Sequence, residues 1–207
     1  ACNGEYEGRP QIIHGGSYGY VEDKTQLHLD SFTMQCWIWP TTPKTHPKYW
    51  RHGAQGLMGK WSNGKGYGLF INEDGCIELR VNNEKVATTA PVRDHAWHFI
   101  AATYDSKTGE AVLYHEPQIV YALDPAIPPV KKKLGVKVEN QKGVPFTVAA
   151  YTKALDNSPL ARSSRPAGIV MSGQYNGKID SPRLCNKALS RQDIETMKLG
   201  SKPGMSE

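Results

Sequence analysis

The residues with most chemical capacity gather in one stretch, Arg93 to Asp105, reading RDHAWHFIAATYD, answered by Glu110 to His115, EAVLYH. His95 and His98 stand three apart and invite a metal reading. On a strand that spacing turns the two side chains to opposite faces, so they are expected to be ordinary surface or hydrogen-bonding histidines. Acyl transfer by a Ser-His-Asp set needs a serine on a sharp strand-to-helix elbow, and no serine here has that context. Cys2, Cys36, Cys76 and Cys185 lie far apart, with no CxxC and no histidine at ligand spacing. At least Cys36 and Cys76 read as free thiols, which favours a reducing, cytoplasmic setting. What remains is aromatic. Trp39 and Trp61 lie beside strands, and Tyr49, Trp50, Arg51 and His52 sit together in the loop PTTPKTHPKYWRHGAQ. A long loop without obvious structure often serves binding or an interface; the plain alternative is an ordered flap whose Trp50 covers the edge of the core. These six residues are the binding or interface candidates.

Strands must position them. Phe32 to Trp39 alternates strictly, with Phe32, Met34, Cys36 and Ile38 on one face and Thr33, Gln35, Trp37 and Trp39 on the other. Period two predicts a strand, and bulk on both faces predicts an interior one, ended by Pro40. Trp37 and Trp39 share a face, either core or, if open, a stacking platform. Tyr67 to Asn72 and Cys76 to Val81 flank an Asp-Gly turn as a hairpin. Trp97 to Tyr104 and Ala111 to His115 form a second pair, and Trp97 and Phe99 are expected in the core. Further short strands are expected at Leu27–Leu29, Gly56–Lys60, Lys85–Thr89, Gln118–Leu123, Phe146–Ala150, Gly168–Ser172 and Gly177–Leu184, with a first hairpin from Ile12-Ile13 and Tyr18 to Val21. One helix is predicted, Ser190 to Leu199, with Asp193 placed for a capping box and Gly200 and Pro203 as its stop. About a dozen strands and one late helix predict an all-β antiparallel two-sheet jelly roll.

The chain has 207 residues, 20 Gly, 14 Pro and a formal charge of +5. That length suits one domain, 1–207, with a Pro-rich insertion over 116–166. The charge is mild and scattered. Lys131-Lys132-Lys133 reads as a solvated loop, and no basic stripe interleaved with aromatics points to nucleic acid. No apolar run approaches the ~18 residues of a membrane span. The start, ACNGEYEGRP, lacks both a Met and a basic-then-apolar signal, so the chain is expected to be an excised domain, a processed product or one subunit.

The order of these segments resembles the laminin-G-like, concanavalin-A-like jelly-roll family. The resemblance is carried by SFTMQCWIWPTTP, GLMGKWSNGKGYGLFINEDGCIELRV, AWHFIAATYDSKTGEAVLYH and NGKIDSPRLCNKALSRQDIETM. Trp97, Tyr104, Asp105, Gly109, Leu113 and Tyr114 match one family pattern, and Gly177, Ile179, Asp180, Arg183, Ala188, Leu189 and Ser190 match another. Most relatives have a short V-D-G turn where this chain reads His115-Glu116-Pro117-Gln118. That insertion, the P-T-x-P after the first long strand and the opening Cys2-Asn3-Gly4 are similar to a narrower group, the jelly-roll region in the large subunit of bacterial N,N-dimethylformamidases. The resemblance implies a non-catalytic scaffold or subunit-interface module. The parent enzyme would cleave an amide to formate and dimethylamine at an iron carried elsewhere, and the module's partners would be the rest of a longer polypeptide or other subunits. An iron site of carboxylate and phenolate type would need Tyr and Glu to converge, and Tyr6, Tyr104, Glu73 and Glu110 show no such spacing. The wider family also implies a lesser expectation of calcium at Asp74, Asp105 and Asp180, with turn hydrogen bonding as their ordinary role. A glycan-binding lectin-like module is the alternative reading.

Overall fold

In the computed structural model, residues 17–44, 53–121, 126–156, 158 and 167–200 are described. The predicted Ile12-Ile13 arm and the candidates Tyr49, Trp50, Arg51 and His52 lie outside them. The strands are β1 (Gly19–Val21), β2 (Phe32–Pro40), β3 (Gln55–Ser62), β4 (Lys65–Ile71), β5 (Cys76–Val81), β6 (Glu84–Pro91), β7 (His98–Asp105), β8 (Glu110–Pro117), β9 (Val130–Lys133), β10 (Phe146–Val148), β11 (Tyr151–Leu155), β12 (Ile169–Ser172) and β13 (Gly177–Cys185). The helix α1 (Arg191–Leu199) follows. A six-stranded sheet runs β1-β10-β3-β4-β5-β6, a five-stranded sheet β13-β2-β7-β8-β9, and β11-β12 forms a separate hairpin. All pairings are antiparallel.

The alternation in β2 does what period two requires. Phe32, Met34, Cys36 and Ile38 enter the core between the sheets, with Tyr67, Leu69, Ile71, Ile77, Leu79, Ile100, Ala102 and Leu113 opposite or beside them. Trp37 turns to the outer face and builds a second core with Phe99, Ala101, Val112, Tyr114 and Ile194, the last from α1. Trp37 meets Phe99 edge-on at 5.4 Å. Helix α1 therefore covers the face that a platform reading of Trp37 would need open. Its start is fixed by the predicted box: Ser190 Oγ accepts from the Asp193 N–H, and Asp193 Oδ2 accepts from the Ser190 N–H.

A buried lysine ties the loop before β10 to the core. Lys60, on β3 and 1% exposed, donates to the carbonyls of Gln141 (2.6 Å) and Val144 (2.5 Å) and pairs with Asp23 at 2.8 Å. All three ammonium protons are used. Burial alone would raise the Asp23 pKa. Hydrogen bonds from Lys60, the Gly143 N–H and His28 overcome this and hold it below the usual carboxylate range.

Several expectations need correction. Residues 25–27 form a single 3-10 turn, with Leu27 N–H donating to Lys24 O, so Leu27–Leu29 is no edge strand. The strand β1 pairs with β10, across sequence; the Ile12-Ile13 arm of the expected first hairpin lies outside the described residues. Gln118 to Tyr121 is not a strand. Conversely, Lys131 to Lys133 belongs to β9, at the sheet edge. Its lysines are solvated as expected, but on a strand, where edge lysines deter further pairing. The strand β11 was not visible in the sequence either.

Candidate functional site

The described part of the candidate loop is anchored at both feet. Gln55 Nε2 donates to the Thr42 carbonyl at 2.8 Å, and its Oε1 accepts from the Asn176 N–H at 3.0 Å. Asn176 also donates to Thr42 Oγ1 and receives the Thr41 N–H at its carbonyl. Beside these feet the loop Arg93–Trp97 bridges two strands of the five-stranded sheet. His95 N–H donates to Pro40 O at the end of β2, and Gln118 N–H donates to Trp97 O just past β8.

This bridge assembles an aromatic and apolar rim. Trp39 is half-buried, with His95 edge-on at 5.1 Å and the Lys178 ammonium 4.9 Å from its ring centroid. On the other side of the bridge the Arg93 guanidinium lies 4.8 Å from the Tyr121 ring. Ile119, Val120 and Tyr121 are 52%, 65% and 62% exposed. Three consecutive large apolar residues in water, flanked by cations, are unusual for a surface meant to stay bare. The strand pattern expected for Gln118–Leu123 concealed them: an apolar run reads as buried until structure shows it is not.

Trp61 belongs elsewhere. It lies on the six-stranded sheet, edge-on to Phe70 (5.5 Å) and Tyr151 (5.6 Å), with Arg80 5.3 Å from its ring and its indole N–H donating to Asn82 O. The β11-β12 hairpin packs Tyr151 onto it, so Trp61 fills a satellite core and does not join Trp39. The close approach requires Gly56, where a Cβ would sit 2.5 Å from the Ala150 carbonyl carbon.

The acidic trio is dispersed. Asp105 closes β7, and its Oδ1 accepts the Lys107 N–H. Asp180 lies on β13 opposite Trp37, and its Oδ1 accepts from Ser181 Oγ. Since Phe32 faces Tyr104, Asp105 and Asp180 are six strand positions apart, roughly 20 Å. Asp74 is on the other sheet, in the turn that Asn72 Oδ1 holds. Among the described residues no group of three His, Cys, Asp or Glu side chains could hold a metal. Tyr67 and Tyr104 donate their hydroxyls to the carbonyls of Leu27 and Val136; Tyr6 lies outside the described residues.

His98 is not paired with His95 but with His115, facing inward across β7 and β8. His98 Nε2–H donates to Arg93 O at 2.9 Å, which leaves Nδ1 to accept the His115 Nε2–H, also at 2.9 Å. The carbonyl thus fixes both tautomers. Burial lowers both pKa values, that of His115 to about 3. The Cys36 thiol, pushed up to about 12 by burial, is inert at neutral pH.

Comparison with known proteins agrees with this architecture. Residues 14–116 match the family model described as the concanavalin A-like lectin/glucanases superfamily. The chain is 26% identical to the N,N-dimethylformamidase beta subunit of an Alcaligenes species, over 95% of this chain and 26% of that one. It is also 26% identical to the beta subunit from Paracoccus aminophilus, over 96% of this chain and 26% of that one. The chain thus spans about a quarter of the length of these curated relatives. Among solved structures, a Ruminococcus gnavus sialidase carbohydrate-binding module of type 40, bound to α2,3-sialyllactose, superposes with a TM-score of 0.55 at 14% identity, covering 84% of each chain. The chain carries a concanavalin A-like, laminin-G-like jelly roll similar to a segment of the dimethylformamidase beta subunit.

Proposed function

We propose that this jelly roll is a non-catalytic module of an amide hydrolase resembling N,N-dimethylformamidase, and that it serves as scaffold and subunit interface. The observation that carries this reading is the match of nearly the whole chain to about a quarter of the dimethylformamidase beta subunit. The remaining three quarters of such a polypeptide, and its companion subunits, give the exposed rim a partner. The rim fits that role: Ile119 and Val120 offer apolar area, while Arg93 and Tyr121 are residue types that dominate interface energetics. The segments 40–55 and 116–166 are the contact surfaces.

The test is assembly. In the enzyme carrying this module, Ile119→Asp/Val120→Asp places two carboxylates in the contact and should reduce co-elution of the enzyme's parts on size exclusion, with the module's own melting unchanged. Intact assembly in that variant would count against the rim as the interface.

A second reading, glycan binding, draws on Trp39, whose ring is open enough for Lys178 and His95 to reach it. Glycan-array binding lost in Trp39→Ala would favour it over the interface role.

A further inference from the structure

The turn that carries the family pattern, Asp105 to Gly109, builds a feature separate from the rim. It borders an open cleft of about 540 Å³ lined by Asp30, Ser106, Lys107, Thr108, Gly109, Lys133 and the segment Gly135–Lys137. Volumes of ~300–1,000 Å³ are those of small-molecule sites.

The cleft is held rigid from below. Gly109 N–H donates to Asp105 O, and the N–H groups of Leu134 and Gly135 both donate to Gly109 O. Ser31 Oγ bonds Ser106 Oγ and accepts the Ser106 N–H, while Tyr104 Oη donates to Val136 O. A Cβ on Gly109 would sit 2.8 Å from Gly135 Cα, so glycine permits the contact between the two walls. Two segments, the β7-β8 turn and the stretch running from the end of β9 through Lys137, are thereby fixed around one volume.

Its charge is one-sided. Lys107, Lys133 and Lys137 line it against Asp30 alone. Among the described residues none of the three ammonium groups has an ion-pair partner, whereas neighbouring Lys132 is engaged by Glu84 and Lys85 O, and Lys65 by Glu139. Two further acids adjoin the cleft without lining it: Asp105, whose Oδ1 accepts the Lys107 N–H, and Glu110, opposite Lys133 in the β8-β9 register. Lysines placed around one concavity favour an anion there, and a multivalent anion can engage more than one of them at once.

We propose that this cleft binds a small oxyanion of two or more negative charges, through Lys107, Lys133 and Lys137. Because Lys132 points away toward β6, the positive surface is a local concavity and not a track, which suits a small ligand over a polymer.

Titration calorimetry on the purified protein at fixed ionic strength, with sodium phosphate and sodium citrate in separate arms and sodium chloride as control, tests this. Saturable heat with either anion, weakened at least tenfold in Lys133→Ala/Lys137→Ala and retained in Lys133→Arg/Lys137→Arg, is expected. The arm that responds assigns phosphate or carboxylate as the ligand group. Lys133 and Lys137 are exposed, so melting temperatures of the variants should match the parent. No saturable heat in either arm, or equal binding in the alanine variant, would overturn the proposal.

Discussion

His98 and His115 show how a single residue's chemistry is decided by where its strand points. In the unfolded chain both titrate near 6.5; in the fold both are buried neutral, with the His115 pKa depressed to about 3. The folded state therefore binds fewer protons than the unfolded state below pH 6.5. Stability is unaffected above that pH and falls as pH drops toward the folded values, by about 1.4 kcal/mol per pH unit per histidine. Melting temperature between pH 7 and 4 should decline steeply, and less steeply in His115→Leu. An equal slope in the variant would remove this pair from the acid response. The two tryptophans on β2 make a second contrast. Trp37→Ala should cost about 3–5 kcal/mol, as for a fully buried aromatic. Trp39→Ala, on the open rim, should cost about 1 kcal/mol or less. The shared face of the pair was legible from period two. Their different fates were not, because the helix covering Trp37 lies more than 150 positions later in the chain.

Among the elements, those with strict alternation and local turns were readable: β2, the β4-β5 hairpin, the β7-β8 pair and the capped helix. Those stabilised from a distance were not. The strand β9 exposes lysines on an edge and carries no apolar face, so no period marks it. The strand β11 depends on a glycine in β3 that admits its hairpin. Lys60 was expected only as the end of the strand Gly56–Lys60; the fold shows its ammonium closing the loop before β10. Lys60→Met would leave the carbonyls of Gln141 and Val144 without their buried donor and Asp23 without its cation. A loss of about 3 kcal/mol in denaturant unfolding is expected. A change below about 1 kcal/mol would mean that the loop stands without this tie.

At the scale of the molecule, two sheets and a helix supply a rigid body, and what distinguishes this chain lies on its margins. The fold class was legible in full from strand spacing and family-like segments. Of the rim, the insertion over 116–166 was legible, whereas Gln118–Leu123 was expected as a strand and Ile119 to Tyr121 stand exposed outside any strand. The cleft beside the β7-β8 turn was not legible, because Lys107 is brought beside Lys133 and Lys137, more than 20 positions later, by backbone hydrogen bonds. No helix among the described residues is long and apolar enough to cross a membrane. The most direct test is amide hydrogen exchange over Ile119–Tyr121, compared between this chain alone and the assembled enzyme that contains it. The interface account predicts slow exchange in the assembly and fast exchange in the isolated chain. Equally fast exchange in both would contradict it.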